Sequence, residues 1–312
     1  MNTSLSSAPH FGATTASHGI TERALVLHGG GSAGNAWEIG VIAGLLEAGL
    51  DVTDADLIVG TSAGATAAAQ ITGAAAAELL AAILDAVPQP RSGPVGRDGG
   101  RAPVGPPVDH LERTNRIIAA ATDAADMRRR MGVAALELDA AADDSASARW
   151  RTIVAARLPS QHWPEQTVFI TAVDARTGEP VVFDRHSGVE LADAVAASTS
   201  SGAPYRIGDD RYLDGGYRRN ENADLAAGYA RVLVLSPFGG RSRHPLDWGM
   251  QLAAQVDELR AAGSRVETIF PDQDALAAFG DNMMNPATRP PAARAGYDQG
   301  RARGGSLGEF WG

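Results

Sequence analysis

Apolar and polar positions alternate in blocks near the start of the chain. Arg23-Ala-Leu-Val-Leu27 is a short apolar run that ends in a glycine cluster, and it predicts a buried strand. From Asn35 to Ala48 apolar residues recur at Trp37, Val41 and Leu45 and at Ile42 and Leu46, which is the period of a helix. Gly40 and Gly44 lie one turn apart on it and predict a close approach of its backbone to a sheet. A second strand is expected over Asp56 to Val59, followed by a sharp turn and one Ala-rich core helix from Ala65 to Val87. Gln70, Thr72, Gly73, Glu78 and Asp85 interrupt that helix and make it a poor bilayer span. Strand, Gly-rich loop, helix, strand, turn, helix is the opening of a parallel α/β sheet.

Farther along, Pro88 to Val108 is dense in Gly and Pro and predicts an irregular loop, with a lid over the site as its functional reading. Asp109 to Arg157 reads as mainly helical, with Arg128-Arg129-Arg130 on a solvated face. Thr167 to Val173 is a strong strand, and Pro180-Val-Val-Phe183 pairs with it across a turn. A short helix over Leu191 to Ala197 leads through a Ser-rich stretch to Tyr212-Leu-Asp-Gly-Gly216. A strand over Arg231 to Leu235, a helix over Leu246 to Ala262 and a last strand over Arg265 to Phe270 follow, and the remainder is helical before a Gly-rich tail.

Asp and Glu (37) outnumber Lys and Arg (27), giving a net charge of −10. That excess argues against a nucleic-acid partner and against electrostatic docking on anionic lipid, so transient contact with a membrane or micelle surface has to be apolar. With no cysteine, a disulfide framework, a thiolate metal site and a Cys nucleophile are all excluded. No metal-ligand cluster or cofactor is expected. Met1 to Thr21 has no apolar core and reads as a disordered tail, neither secretory signal nor anchor, so a cytoplasmic location is expected.

Chemistry concentrates at Gly60-Thr61-Ser62-Ala63-Gly64. A strand running straight into a helix strains the residue at the tip of the turn, which only small neighbours tolerate. Ser62 Oγ is thereby lifted clear at a helix N-terminus, the Gly-x-Ser-x-Gly nucleophile elbow. The loop His28-Gly29-Gly30-Gly31-Ser32-Ala33-Gly34 supports three readings. It fits a dinucleotide fingerprint, but the second strand closes without the acidic residue that a ribose needs. It also fits the oxyanion motif of α/β-hydrolases, although no earlier strands exist for their sheet. The third and preferred reading is a nest of backbone N–H groups beside the nucleophile. His110 and His162 are isolated and take no role, and Asp214-Gly215 by itself marks only a turn. Phe238, Trp248, Met283 and Met284 are candidates for an apolar rim, equally explained by core packing.

Gly-Gly-Gly-x-x-Gly, Gly-x-Ser-x-Gly and Asp-Gly-Gly in this order resemble the patatin-like phospholipase family, as does the approach from Ala194 to Pro204 and the sequence Asn222-Ala-Asp-Leu-Ala226. The resemblance runs from about Arg23 to Gly300. It implies a three-layer α/β/α fold with a mostly parallel central sheet over 22–303, leaving 304–312 as a flexible tail. Also implied is a lipid acyl hydrolase that cleaves carboxylic esters through a Ser-Asp dyad and an acyl-enzyme. Ser62 would be the nucleophile, Asp214 the proton acceptor and the amides of Gly29, Gly30 and Gly31 the oxyanion hole. Gly34, Gly60, Gly64, Gly215 and Gly216 would support these motifs. Ala33 departs from the basic residue usual in the family's first motif, and His28 stands where a smaller or acidic residue is common. Two alternatives are a catalytically weak lipid-binding or regulatory module and an α/β-hydrolase that uses His244.

Overall fold

The computed structural model describes residues 22–86, 107–140 and 145–312. β1 (Arg23–Leu27), α1 (Gly31–Glu47) and β2 (Leu57–Gly60) open the fold as the apolar pattern predicts, but α1 starts within the glycine cluster, four residues before its apolar period is visible. The expected single Ala-rich helix is two, α2 (Ala63–Ile71) and α3 (Ala76–Leu84). Thr72 and Gly73 break it, and the Thr72 hydroxyl turns back onto the Ala68 carbonyl. Three helices follow, α4 (Pro107–Ala120), α5 (Ala124–Ala140) and α6 (Ser145–Ala155). Of the stretch expected as a loop and lid, residues 87–106 lie outside the described residues, and residues 107 and 108 are already in α4. Arg129 and Arg130 of α5 are exposed as expected, but Arg128 is half-buried and donates to the Gly178 carbonyl at 2.8 Å.

β3 (Thr167–Asp174) and β4 (Pro180–Phe183) form the expected antiparallel pair, and α7 (Leu191–Ser198) follows. A hairpin that the pattern does not predict, β5 (Tyr205–Ile207) and β6 (Asp210–Asp214), then returns the chain to the sheet. The last elements are β7 (Arg231–Leu235), α8 (Leu252–Ala261), β8 (Arg265–Ile269), α9 (Gln273–Phe279) and α10 (Arg289–Trp311). The helix expected from Leu246 is shorter, since Gly249 in a left-handed conformation ends a single 3-10 turn before α8 begins.

The strands make one sheet in the order β5-β6-β3-β2-β1-β7-β8, with β4 on the other edge of β3. The stretch from β3 to β8 is parallel and the remainder antiparallel. Alternate residues of each central strand serve opposite cores. Leu25, Leu27, Ile58, Leu233 and Leu235 pack under α1, α2 and α10, while Ala24, Val26, Leu57, Val59, Val232 and Val234 pack against α8. The result is the three-layer α/β/α architecture with a mostly parallel sheet.

The pairing of β3 decides where the site forms. Ile170 pairs with Gly60 on one edge and Phe183 on the other; two residues on, Ala172 pairs with Val181 on that second edge and with Asp214 on the first. β2 and β6 therefore share one edge of β3, end to end. One runs parallel to β3 and the other antiparallel, so their C-terminal ends face each other.

Gly40 and Gly44 mark a close approach, but to α10 and not to the sheet. A Cβ at Gly44 would lie 2.1 Å from the Tyr297 carbonyl oxygen, and one at Gly300 of α10 would lie 2.2 Å from that of Val41. Helix backbones meet directly along this seam. It also explains the tail. Residues 304–312 are the final turns of α10: Gly304 sits on Ala48, Leu307, Phe310 and Trp311 are buried, and Trp311 Nε1 donates to the Asp51 carbonyl at 3.2 Å. Glycines that suggest flexibility in sequence are here the places where two helices touch. Gly44→Ala is expected to destabilise the fold by about 2 kcal/mol through overpacking. Gly305→Ala, on the open side of α10, is expected to stabilise it by up to about 1 kcal/mol through helix propensity. Denaturant unfolding of both variants checks the contrast.

Candidate active site

Ser62 caps the N-terminus of α2 with φ 54° and ψ −117°. Positive φ in a non-glycine residue stores strain on the order of 1–3 kcal/mol and persists only where the surroundings hold it. Here they do. Thr61 N donates to the Leu27 carbonyl at 3.0 Å, the Ser62 amide donates to Ser198 Oγ at 2.9 Å, and a Cβ at Gly64 would strike the Leu27 carbonyl at 2.1 Å. The elbow is thus pressed against the end of β1 with no room for a larger residue.

Ser62 Oγ donates to Asp214 Oδ2 at 2.8 Å. The second carboxylate oxygen accepts from the Gly216 amide at 2.8 Å, and the Asp214 amide donates to the Ser200 carbonyl at 2.9 Å. Asp214 is 9% exposed, and burial pushes its carboxyl up to about 6 against the smaller opposing effects of the Gly216 and Ser62 hydrogen bonds. A base with that affinity is ionised at neutral pH yet can hold a proton in transit.

Gly29 faces the serine. A Cβ there would lie 3.0 Å from Ser62 Cβ, and Gly30 and Gly31 follow at the start of α1, Gly31 with φ +60°. Among the described residues, no backbone carbonyl accepts from the amides of Gly29, Gly30 or Gly31. Free donors at a helix N-terminus beside a nucleophile suit an anion. Gly34 packs on Pro237. The loop is braced by Arg289, which donates to the Ser32 carbonyl at 3.3 Å and Asn35 Oδ1 at 2.9 Å, and by the Ala33 amide on the Met283 carbonyl at 2.9 Å. His28 is buried edge-on against Phe238, and burial lowers it to about 3, so it stays neutral.

Asn222, which the sequence offers only inside a longer resemblance, ties the two halves of the site together. It is fully buried in a left-handed conformation, φ 57°. Its amide donates to Thr61 Oγ1 at 2.9 Å, Thr171 Oγ1 at 3.3 Å and the Gly215 carbonyl at 3.1 Å, contacts that adjoin Ser62 on one side and Asp214 on the other. Its own carbonyl accepts from Arg218, which also forks onto Asp224 at 2.7 and 2.9 Å. Asparagine tolerates positive φ, the one signal in its residue type. His244 stands elsewhere: its ring faces Ser242 at 3.3 Å and stacks on Trp248, while the serine hydroxyl is committed to Asp214. Of the candidate rim residues, Phe238 (38% exposed) and Met284 (68%) lie at the Gly-rich loop, and Met283 and Trp248 pack against core clusters.

The sequence model of one family, Patatin-like phospholipase, matches residues 25–227, more than half of the chain. The chain belongs to the patatin-like phospholipase family. As a member it is a lipid ester hydrolase in the general sense. Similar solved structures include VipD from Legionella pneumophila, with 15% identity, a TM-score of 0.42 and coverage of 92% of this chain and 67% of that one. The type III effector protein ExoU is similar at 16% identity and a TM-score of 0.33, over 90% of this chain and 54% of that one. The patatin-like chain thus spans about two thirds of the first and about half of the second. No curated protein matches it.

Among the described residues, no group of three His, Asp or Glu side chains is placed to hold a metal ion, and no helix is long and apolar enough to cross a membrane.

An acid limb in the pH profile is expected. The base must be ionised, so kcat/KM should rise tenfold per pH unit up to about 6 and level off above it. Initial rates on a neutral soluble ester from pH 4 to 8 measure this.

Proposed function

We propose that the chain hydrolyses carboxylic esters of phospholipids, lysophospholipids or related lipids through a Ser62–Asp214 dyad. The observation that carries this is the 2.8 Å hydrogen bond from a strained, half-exposed serine to a buried carboxylate. As an acyl carbonyl meets Ser62, the Oγ proton passes to Asp214 Oδ2 while Oγ bonds to the carbonyl carbon. The carbonyl oxygen becomes an oxyanion, stabilised by the amides of Gly29, Gly30 and Gly31. Collapse breaks the bond to the alkoxy group, which takes the proton from Asp214 and departs as an alcohol. Water then attacks the acyl-enzyme with the same carboxylate as base, releasing the fatty acid and restoring Ser62.

An imidazole is not required in this scheme. A serine–carboxylate pair suffices when burial raises the proton affinity of the carboxyl, which is the direction of the shift at Asp214. The test is covalent labelling with an alkyl fluorophosphonate, together with fatty-acid release from phospholipid, lysophospholipid, triacylglycerol and p-nitrophenyl ester substrates. Labelling at Ser62 that tracks loss of turnover is expected. Lipid binding with no labelling and no turnover would favour a non-catalytic module instead.

A further inference from the structure

Two elements flank the dyad at the carboxyl ends of the strands. α4 lies on the carboxylate side: Tyr217, three residues beyond Asp214, lines one recess with His110, Arg113 and Thr114 of α4, and its hydroxyl donates to the Ser201 carbonyl at 2.9 Å. The segment 236–245 after β7 spans from the Gly-rich loop to that helix. Phe238 lies against His28, with ring centroids 5.7 Å apart, and Arg243 reaches Asn115 of α4 at 3.4 Å.

Positive charge gathers where these elements meet. Arg113 points its guanidinium at His110 Nδ1, 3.3 Å away. A guanidinium can only donate, so Nδ1 accepts and the neutral imidazole carries its proton on Nε2. Among the described residues neither Arg113 nor Arg243 has a carboxylate partner, whereas the nearby Arg218 and Arg219 are committed to Asp224 and Glu258. Both uncommitted guanidiniums are felt by the same two groups. Burial first, then Arg113 and Arg243, hold His110 below its ordinary value. Burial and the Asp214 charge raise Tyr217 to about 12, against the opposing pull of Arg243 and Arg113. In a chain of net charge −10, this is a local reversal of sign beside the dyad.

We infer that Arg113, Arg243 and His110 Nε2–H form a subsite for the phosphate of the lipid headgroup, so that phosphate-bearing glycerolipids are taken over neutral ones with the same acyl chains. This inference rests on the Ser62–Asp214 reading for its link to turnover. A tetrahedral phosphate offers acceptor oxygens in several directions and matches donors arriving from two different elements, and guanidinium forks pair with it well. The anchored phosphate leaves the acyl ester directed toward Ser62. The same cations answer the departure at Ala33, since the positive charge lies across the site from the Gly-rich loop.

The double variant Arg113→Gln/Arg243→Gln tests this by kinetics and by binding. Kinetics compares kcat/KM on short-chain phosphatidylglycerol, the matching diacylglycerol and p-nitrophenyl butyrate. The variant is expected to lose about tenfold more on the phospholipid than on either phosphate-free ester, through KM. An equal fall on all three, or no fall, overturns the subsite. Calorimetric titration of glycerol phosphate and inorganic phosphate supplies the second readout: both should bind the wild type, compete with phospholipid turnover and bind the variant weakly. Inorganic phosphate that binds the arginines without competing would mark a free-anion site and overturn the headgroup assignment. An absence of Ser62 labelling and of all turnover would defeat the dyad reading alone; binding of glycerol phosphate lost in the variant would still support the subsite, and binding retained would overturn it.

Discussion

Asp214→Asn lowers kcat by roughly 10⁴-fold while leaving the protein folded, the loss expected when a general base is replaced by a group that cannot take a proton. Asparagine keeps the shape of the site. Its carbonyl can accept from the Gly216 amide, and its amide can donate to Ser62 Oγ, but the serine proton has no destination. Ser62→Ala should remove at least as much activity, because no other nucleophile stands at the elbow.

The same Asp214→Asn substitution is expected to raise stability. Burial lifts the folded carboxyl from 3.8 to about 6, so the native state binds this proton more tightly than the unfolded chain does. The contribution of Asp214 is therefore most favourable below pH 3.8 and is lost as pH rises through 6. At pH 7 the buried carboxylate is ionised at a penalty of roughly 3 kcal/mol for the two-unit shift. The neutral amide of the Asp214→Asn variant escapes that penalty. Denaturant unfolding should show the variant more stable at pH 7, with the gap narrowing toward pH 4. An inactive but more stable variant would show that the lost activity is chemical; a destabilised one would mean that the carboxylate is needed for folding.

Asn222→Ala is the second large effect. It leaves the Gly215 carbonyl without its side-chain donor and removes the bridge from Thr61 to the Asp214 side, a cost of about 3 kcal/mol for a fully buried amide with three acceptors. Turnover should fall roughly 10–100-fold in kcat with little change in KM, because the dyad residues remain but lose their mutual registration. Asn222→Gly separates the causes. Glycine accepts φ 57° freely, so the difference between the two variants reads backbone strain, and their common loss reads the amide. Thr61→Val and Thr61→Ser extend the test: serine keeps the hydroxyl partner and should retain most of the activity that valine loses.

The Gly-rich loop resists change for a related reason. Its donors are free to meet an oxyanion because Arg289 and the Met283 carbonyl hold the first turn of α1 from outside, so the amides of Gly29, Gly30 and Gly31 need not make those contacts themselves. These supports are far away in sequence, on the segment that begins α10.

Much is legible along the chain by itself, because it depends on neighbours in sequence. Apolar runs mark β1, β2, β3, β7 and β8; small residues around Ser62 announce the strained turn; and the spacing of three glycine motifs announces the family. Local pattern misleads where glycine reads as freedom. Gly44, Gly300 and Gly304 mark a seam between helices, so the expected flexible tail is an ordered helix anchored by Trp311. The β5–β6 hairpin is hidden because its strands are short and partly polar, yet it delivers Asp214. What only the tertiary structure decided is the meeting of Ser62 with Asp214 and the tie through Asn222. The dyad partners are 152 residues apart, and they are brought together because β2 and β6 occupy one edge of β3 from opposite directions. No local preference encodes that pairing. It arises when a strand edge left open beyond Gly60 is filled by a returning strand that completes its hydrogen bonds.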